Sequence, residues 1–378
     1  MRRLTRLSGK IADKKFNEDY GGLGDFMEDV ATVQNDTYVA PGKIEISVRG
    51  QWVQAPACQV NGQTIVVKGR RIRIASLHDE DYLESVVANP EDCIRRLKDD
   101  PAAPKADIFV FSQKFPDTAP HYSYPLEMRS IAVMNLTDWK AWWDGLPPET
   151  RRNVRRAQKR GVVTSIDKYD DDFIKGIMEI QNETPTRQGR HYSHFGKSLE
   201  QVKRDHASFL DHGDFIGAHY GSELIGFLKL IYRGDIASVL HLSSKMAHYD
   251  KRPGNALIAK ATEVCRDKGI QYLTYELFHY GNKRDSPLTQ FKVRNGFREV
   301  LVPSYYVPLT TWGELCVRLK LYRGIIGLLP ANVIHVALNA RTKWHEFRER
   351  RNRTGAVPVQ TEDAAAAAHA TSSSGSQS

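Results

Sequence analysis

The hexapeptide Lys251-Arg252-Pro253-Gly254-Asn255-Ala256 falls between two runs, one that reads as a strand (Ala237 to Leu242) and one that reads as a helix (about Pro253 to Lys268). A helix start leaves main-chain N–H donors without partners and carries the positive end of the helix dipole, so it attracts phosphate. Gly254 permits close approach, and Pro253 in the first turn gives up no needed donor. Lys251, Arg252, Gly254, Asn255 and Ala256 are therefore candidate ligands for a diphosphate. The plain alternative is a basic loop that does no more than begin a helix.

Three other groupings carry chemistry. In the strand Tyr272 to Phe278, alternation puts Thr274, Glu276 and Phe278 on one face and Leu273, Tyr275 and Leu277 on the other. Glu276 could serve as a base and Tyr275 or Tyr280 as a proton donor, although a strand tyrosine serves a core equally well. The segment Glu183 to Phe195 is dense in forked donors and aromatics, with Arg187, Gln188, Arg190, Tyr192 and His194, and suits either a binding pocket or packing between lobes. On the helix Arg151 to Arg160, Arg152, Arg155, Arg156 and Lys159 share one face, which either binds phosphate or RNA or is simply solvated.

The elements that must position these residues alternate along the chain. Lys43 to Val48, Gln63 to Val67 and Arg71 to Ile74 read as strands and Asp79 to Leu97 as helix. Ala106 to Phe111 and Ser130 to Leu136 read as strands around a proline-rich loop, and Asp138 caps a short helix to Trp143. A helix opened by Pro147-Pro148 ends at Gly161, and helices follow at Asp170 to Gln181 and Leu199 to Leu210. Then come strands Phe215 to His219, Leu224 to Tyr232 and Ala237 to Leu242, the helix after Pro253, and the strand Tyr272 to Phe278. A helix at Leu288 to Arg294 and a last strand through Tyr306 complete the series. The fold class is α/β (α+β).

The chain has 378 residues, 41% hydrophobic and 26% charged, which suits two core-bearing units and a soluble protein. We expect an unassigned segment 1–35, an α/β lobe 36–146, a second lobe 147–310, a basic helical segment 311–353 and a disordered tail 354–378. A net charge of +9 favours anionic partners without choosing among them. The four cysteines are far apart and the histidines lack ligand spacing, so no metal site is expected. Gly196-Lys197-Ser198 is no phosphate loop, because His191 stands where its first glycine belongs. The basic start has no apolar signal core behind it, and the apolar stretch Ile325 to Leu338 is broken and short, so the expected location is the cytoplasm.

The Lys251 to Ala256 run, in this order of meander, helix and strand, resembles the [Gln/Arg/Lys]-x-x-Gly-x-[Gly/Ala] cradle of the GNAT acyltransferases, where it holds the diphosphate of coenzyme A. Phe291-Lys292-Val293-Arg294-Asn295-Gly296-Phe297 resembles the Phe-Lys-x-x-[Phe/Asn]-Gly run of FemAB-like transferases, and the arginine helix and the Glu183 to Phe195 segment also look like that group. The resemblance covers about Lys105 to Leu309. It implies a GNAT-like fold in two tandem lobes and transfer of an acyl or aminoacyl group from a thioester or ester to an amine by direct attack, in cell-envelope or polysaccharide and lipid biosynthesis. It also implies that Lys292 steadies the developing oxyanion. No cofactor would be bound permanently; acyl-coenzyme A would be a co-substrate, with aminoacyl-tRNA as the alternative donor. The rival expectation is an inactive GNAT-like fold that binds RNA, or that docks on a membrane through 312–353.

Overall fold

The structure is a computed structural model of the chain, and it describes residues 42–48, 50–82, 87, 89–187, 190–279 and 286–323. The segments 1–35 and 354–378, most of 311–353, and Gln188 and Tyr280 lie outside the described residues.

In the first part of the chain, β1 (Lys43–Val48), β2 (Gln51–Val60), β3 (Gln63–Lys68) and β4 (Ile74–Leu77) form an antiparallel meander. The strand expected at Arg71 to Ile74 begins where that one was to end, because Arg73 is anchored by two hydrogen bonds from its side chain to the Asp107 carboxylate, at 3.0 and 2.7 Å. Helix α1 (Pro90–Asp99) starts later than Asp79, since Asn89 caps it and Pro90 opens it. Strands β5 (Ile108–Ser112) and β6 (Leu126–Asn135) flank the proline-rich loop, and Asp138 caps α2 (Trp139–Gly145) as expected.

The arginine helix is α3 (Pro148–Lys159), closed by Gly161 at φ +82°. It leads into β7 (Val162–Asp167), which the sequence reading missed, and α4 (Asp171–Gln181). The two-residue strands β8 (Thr186–Arg187) and β9 (Arg190–His191) pair with each other. Helix α5 (Leu199–His206) is shorter than expected; its capping box is intact, and Phe209 adopts φ +53° beyond its end. Strands β10 (Gly213–Tyr220), β11 (Glu223–Arg233) and β12 (Ile236–Ser244) form an antiparallel meander, followed by α6 (Pro253–Asp267) and β13 (Tyr272–Leu277) parallel to β12. Helix α7 (Pro287–Arg294), β14 (Arg298–Pro308) and α8 (Thr311–Arg318) follow.

Meander, helix and parallel strand make the GNAT-like order in this mixed α/β protein. All strands except β8 and β9 join one sheet in the order β1-β2-β3-β4-β5-β14-β6-β13-β12-β11-β10-β7. The late strand β14 pairs with both β5 and β6, so the halves expected at 36–146 and 147–310 share their central strands. Helix α6 covers one face of the second half through Leu257, Ile258, Ala261 and Val264 against Ile225, Leu228, Val239 and Leu273. Helix α4 covers the other face through Ile174 and Ile177 against Phe215 and Phe227. Close approach of α6 depends on Gly226 of β11, where an added Cβ would lie 2.8 Å from Ser244 Oγ and 3.2 Å from a Leu257 methyl carbon.

The pairing of β12 with β13 lasts only from Ile236–Tyr272 to Ser238–Thr274, although both strands continue. Past that point Glu276 adopts φ +45° and the register against β6 shifts between Thr274 and Leu277. For a residue with a side chain this left-handed backbone is strained and must be held by its surroundings. Lys292 of α7 supplies the hold: its Nζ donates to Tyr275 O at 2.8 Å and Leu277 O at 2.7 Å and lies 4.2 Å from the centre of the Tyr275 ring. The bulge also corrects the simple alternation expected for this strand, since Leu277 turns to the same side as Thr274 and Glu276.

Two expectations test this architecture. Gly226→Ala should lose about 1–3 kcal/mol in denaturant unfolding, because Leu257 and Ser244 must both yield. Burial drops Lys292 to about 7, with the Glu276 carboxylate working the other way, whereas an unfolded lysine titrates near ~10.4. The unfolded chain therefore holds a proton that the folded chain lacks between those values. The stability of the wild type relative to Lys292→Met should rise from pH 7 to pH 10, by ~1 kcal/mol or more; a difference independent of pH would show that Lys292 stays charged.

Candidate functional site

Where β12 and β13 part, an open cleft encloses about 820 Å³ of empty space, part of it continuous with solvent. The start of α6 forms one wall with Arg252, Pro253, Gly254 and Asn255. Arg252 stands at the cap position at φ +58° and makes no side-chain cap bond, so the first-turn N–H groups of Gly254 and Asn255 have no side-chain cap to receive them. The protein itself does not demand the glycine. Its φ is ordinary, and a Cβ there would meet only the Phe291 ring, at 3.7 Å.

The turn before this helix is held in place from α4. Glu183, just beyond it, accepts from Met246 N at 2.6 Å and Ala247 N at 2.8 Å, fixing the 3-10 turn Met246–Lys251. Lys245 bridges Glu179 and Glu223 at 2.9 and 2.7 Å. Asn255 Nδ2 donates to Asn295 Oδ1 at 3.1 Å, tying α6 to the end of α7.

Opposite the α6 wall stands Arg187, only 3% exposed, which stacks over the Tyr192 ring at 4.3 Å and donates to Ser243 Oγ at 2.9 Å and Ile180 O at 2.6 Å. Gln181, His241, Ser244 and Tyr249 complete the polar lining. Gln181 Oε1, Arg187 Nε, Ser244 Oγ and Tyr249 Oη are buried with no hydrogen-bond partner among the described residues, which is costly unless a further group, a ligand or solvent supplies one. Burial pushes the Tyr249 phenol well above its ordinary range, so it keeps its proton at neutral pH. Tyr275 lines the same cleft from β13 and is 4% exposed.

Of the residues expected from sequence, the structure brings Arg252, Gly254, Asn255, Arg187, Tyr192 and Tyr275 together around this cleft. Ala256 is instead a core residue at 7% exposure, because it has turned inward on α6. Lys251 points away, 4.7 Å from the Tyr220 ring centre and 3.5 Å from Asp250 Oδ1. Lys292 is fully buried on its two carbonyls and lines neither this cleft nor a second cavity of about 680 Å³, which Asp81, Lys114, Arg129, Arg233 and Glu276 line. Glu276 faces that second cavity. His194 is buried beside Tyr192, with ring centres 5.3 Å apart. Arg152 and Arg155 are exposed on α3 and do not line the cleft; Arg160 of that helix reaches Asp250 at 2.7 Å. The side chain of Arg190 lies outside the described residues.

Sequence reasoning missed Gln181, His241, Ser243, Ser244 and Tyr249. The run Leu242-Ser243-Ser244 at the end of an apolar strand was the available signal, since polar residues there mark where the sheet meets a cavity. Among the described residues no group of three or more His, Cys, Asp or Glu is arranged to hold a metal ion, and no helix is long and apolar enough to cross a membrane.

No family model matches the chain, and no curated protein sequence matches it either. Among solved structures it is similar to the C-terminal domain of a lysylphosphatidylglycerol synthetase described from Agrobacterium fabrum, at 11% identity and a TM-score of 0.47, covering 73% of this chain and 90% of that one. It is similar to L-PGS from Bacillus licheniformis at 12% identity and TM-score 0.47, over 70% and 88% of the two chains. It is also similar to FemX at 11% identity and TM-score 0.46, over 80% and 96%.

Proposed function

We propose that the chain is an N-acyltransferase that takes its acyl group from a coenzyme A thioester. The observation that carries this reading is the start of α6: Gly254 and Asn255 open an uncapped helix end onto the cleft, at the place where β12 and β13 part. A diphosphate laid on that end meets main-chain donors and the positive helix dipole together. The thioester then lies beyond it, toward Tyr275.

In this reaction the amine lone pair forms a C–N bond to the carbonyl carbon while the C–S bond breaks. The ammonium proton leaves to solvent through the open cleft, since Glu276 faces the second cavity, and the thiolate takes a proton from Tyr249 or Tyr275, both of which line the cleft. Burial keeps Tyr249 protonated until the thiolate forms. Lys292 acts through the strand it holds, setting the course of Tyr275 and Glu276. The proposed reaction would serve to build or modify cell-envelope, polysaccharide or lipid components, in the cytoplasm.

A second reading has its own observation. Arg152, Arg155, Arg156 and Lys159 are exposed along α3, which packs against α6. An aminoacyl-tRNA donor would lay its backbone there, and its affinity would fall steeply with salt. The same stripe would serve an RNA-binding protein without transfer activity, and a membrane-docking role would draw on 312–353.

Gly254 separates these readings. Since a Cβ fits the protein at that position, Gly254→Ala should fold with unchanged or slightly higher stability, by up to about 1 kcal/mol, while coenzyme A affinity falls about ten-fold. Gly254→Glu should abolish coenzyme A binding in calorimetry. Equal affinity in wild type and both variants would remove α6 from donor binding.

A further inference from the structure

The cleft at the start of α6 carries a charge that the proposed donor does not use. Among the described residues, two arginines and no aspartate or glutamate line it. Arg252 belongs to the α6 wall, where the diphosphate is placed. Arg187 stands on the opposite wall, and a guanidinium keeps its charge at any physiological pH.

Arg187 is built into the protein. It is 3% exposed, and its Nη1 and Nη2 donate to Ser243 Oγ at 2.9 Å and Ile180 O at 2.6 Å, both neutral acceptors. The Tyr192 ring lies against the guanidinium, with 4.3 Å from Cζ to the ring centre. Arg187 Nε is buried with no hydrogen-bond partner among the described residues, and the side chain forms no ion pair with them. The acids nearest in the chain are engaged elsewhere, Glu179 by Lys245 and Glu183 by Met246 N and Ala247 N. A buried cation without a counter-ion is costly, so an anion that arrives with a substrate gains more here than at the surface.

The sheet decides which substrate brings that anion. Ser243 sits opposite Phe227, which packs with Ile174 and Ile177 of α4, so Arg187 is anchored on the α4 face. The next residue, Ser244, sits opposite Gly226 on the α6 face, where a Gly226 Cβ would lie 3.2 Å from Leu257. A diphosphate on α6 and an anion on Arg187 therefore approach the gap between β12 and β13 from opposite faces of the sheet. In direct attack the acceptor must come from the side that the donor leaves open.

We propose that the acceptor is an amine that also carries a carboxylate, and that Arg187 binds this carboxylate. One guanidinium among neutral neighbours balances a single negative charge, which suits a carboxylate better than a doubly charged phosphate. Gln181 Oε1, at the end of α4, is buried in the same cleft without a partner among the described residues, and it accepts an N–H of the amine. This rests on the acyltransferase reading above and names the class of its acceptor.

The test is calorimetry on the full chain with coenzyme A present and two matched pairs of probes: glycine against glycinamide, and glycylglycine against glycylglycinamide. In at least one pair the carboxylate should bind more tightly than its amide by about ten-fold or more. Arg187→Met should erase that preference and leave coenzyme A affinity unchanged. The paired comparison needs only the wild type, so it stands even where the variant does not fold. Amides that bind as well as carboxylates in both pairs overturn the inference, and so does aminomethylphosphonate binding more tightly than glycine and glycylglycine. Succinyl-coenzyme A that binds more tightly than acetyl-coenzyme A, with the difference lost in Arg187→Met, also overturns it, because the carboxylate then belongs to the acyl group. If coenzyme A binds while neither pair shows a preference, the donor reading survives; if coenzyme A itself fails to bind, the transferase reading falls.

Discussion

A parallel strand pair that pairs at three positions and then separates is the constraint on which the rest of this structure depends. Main-chain groups freed at such a gap need partners, and here a buried ammonium supplies them: Lys292 sits on Tyr275 O and Leu277 O while Glu276 between them takes a strained backbone. An alkyl side chain in its place would take both of these hydrogen bonds away. A lysine held this way lives near its own deprotonation point, which is the cost of putting a cation in a dry place.

Around that gap stand polar groups that the described residues do not satisfy. Gln181, Arg187, Ser244 and Tyr249 come from α4, the segment after it, β12 and the turn beyond, and each contributes a buried atom with no partner among the described residues. Orphaned atoms of this kind are costly in a packed interior, and four of them line this one cleft. The scaffold that carries them is well bonded by comparison, with Glu183 on the Met246–Lys251 turn and Lys245 between two glutamates. Rigid support beneath unsatisfied donors is the arrangement a binding site requires.

The sequence made the helix start at Pro253 legible because proline, glycine and a following apolar period are local signals, and the structure has α6 begin at that residue. Strand β13 was legible for the same reason. The bulge at Glu276 was not, since a non-glycine residue at positive φ leaves no trace in residue types and depends on Lys292 from another element. Strand β2 was hidden by Pro56 and its many polar residues, and β7 by its edge position, where Val163 and Ile166 face solvent. The polar lining of the cleft joins residues as far apart as Gln181 and Tyr249, and no spacing rule reaches that far. The second cavity escaped because its cations come from both halves of a sheet whose continuity rests on β14 pairing backward to β5 and β6.

The account stands on main-chain donors at the start of α6, and amide resonances report on those donors directly. With glycine and asparagine labelled by ¹⁵N, titration of the full chain with coenzyme A should move the Gly254 and Asn255 amide signals saturably, at one common dissociation constant. If coenzyme A saturates the protein while both signals stay in place, the diphosphate is held elsewhere and the account is contradicted.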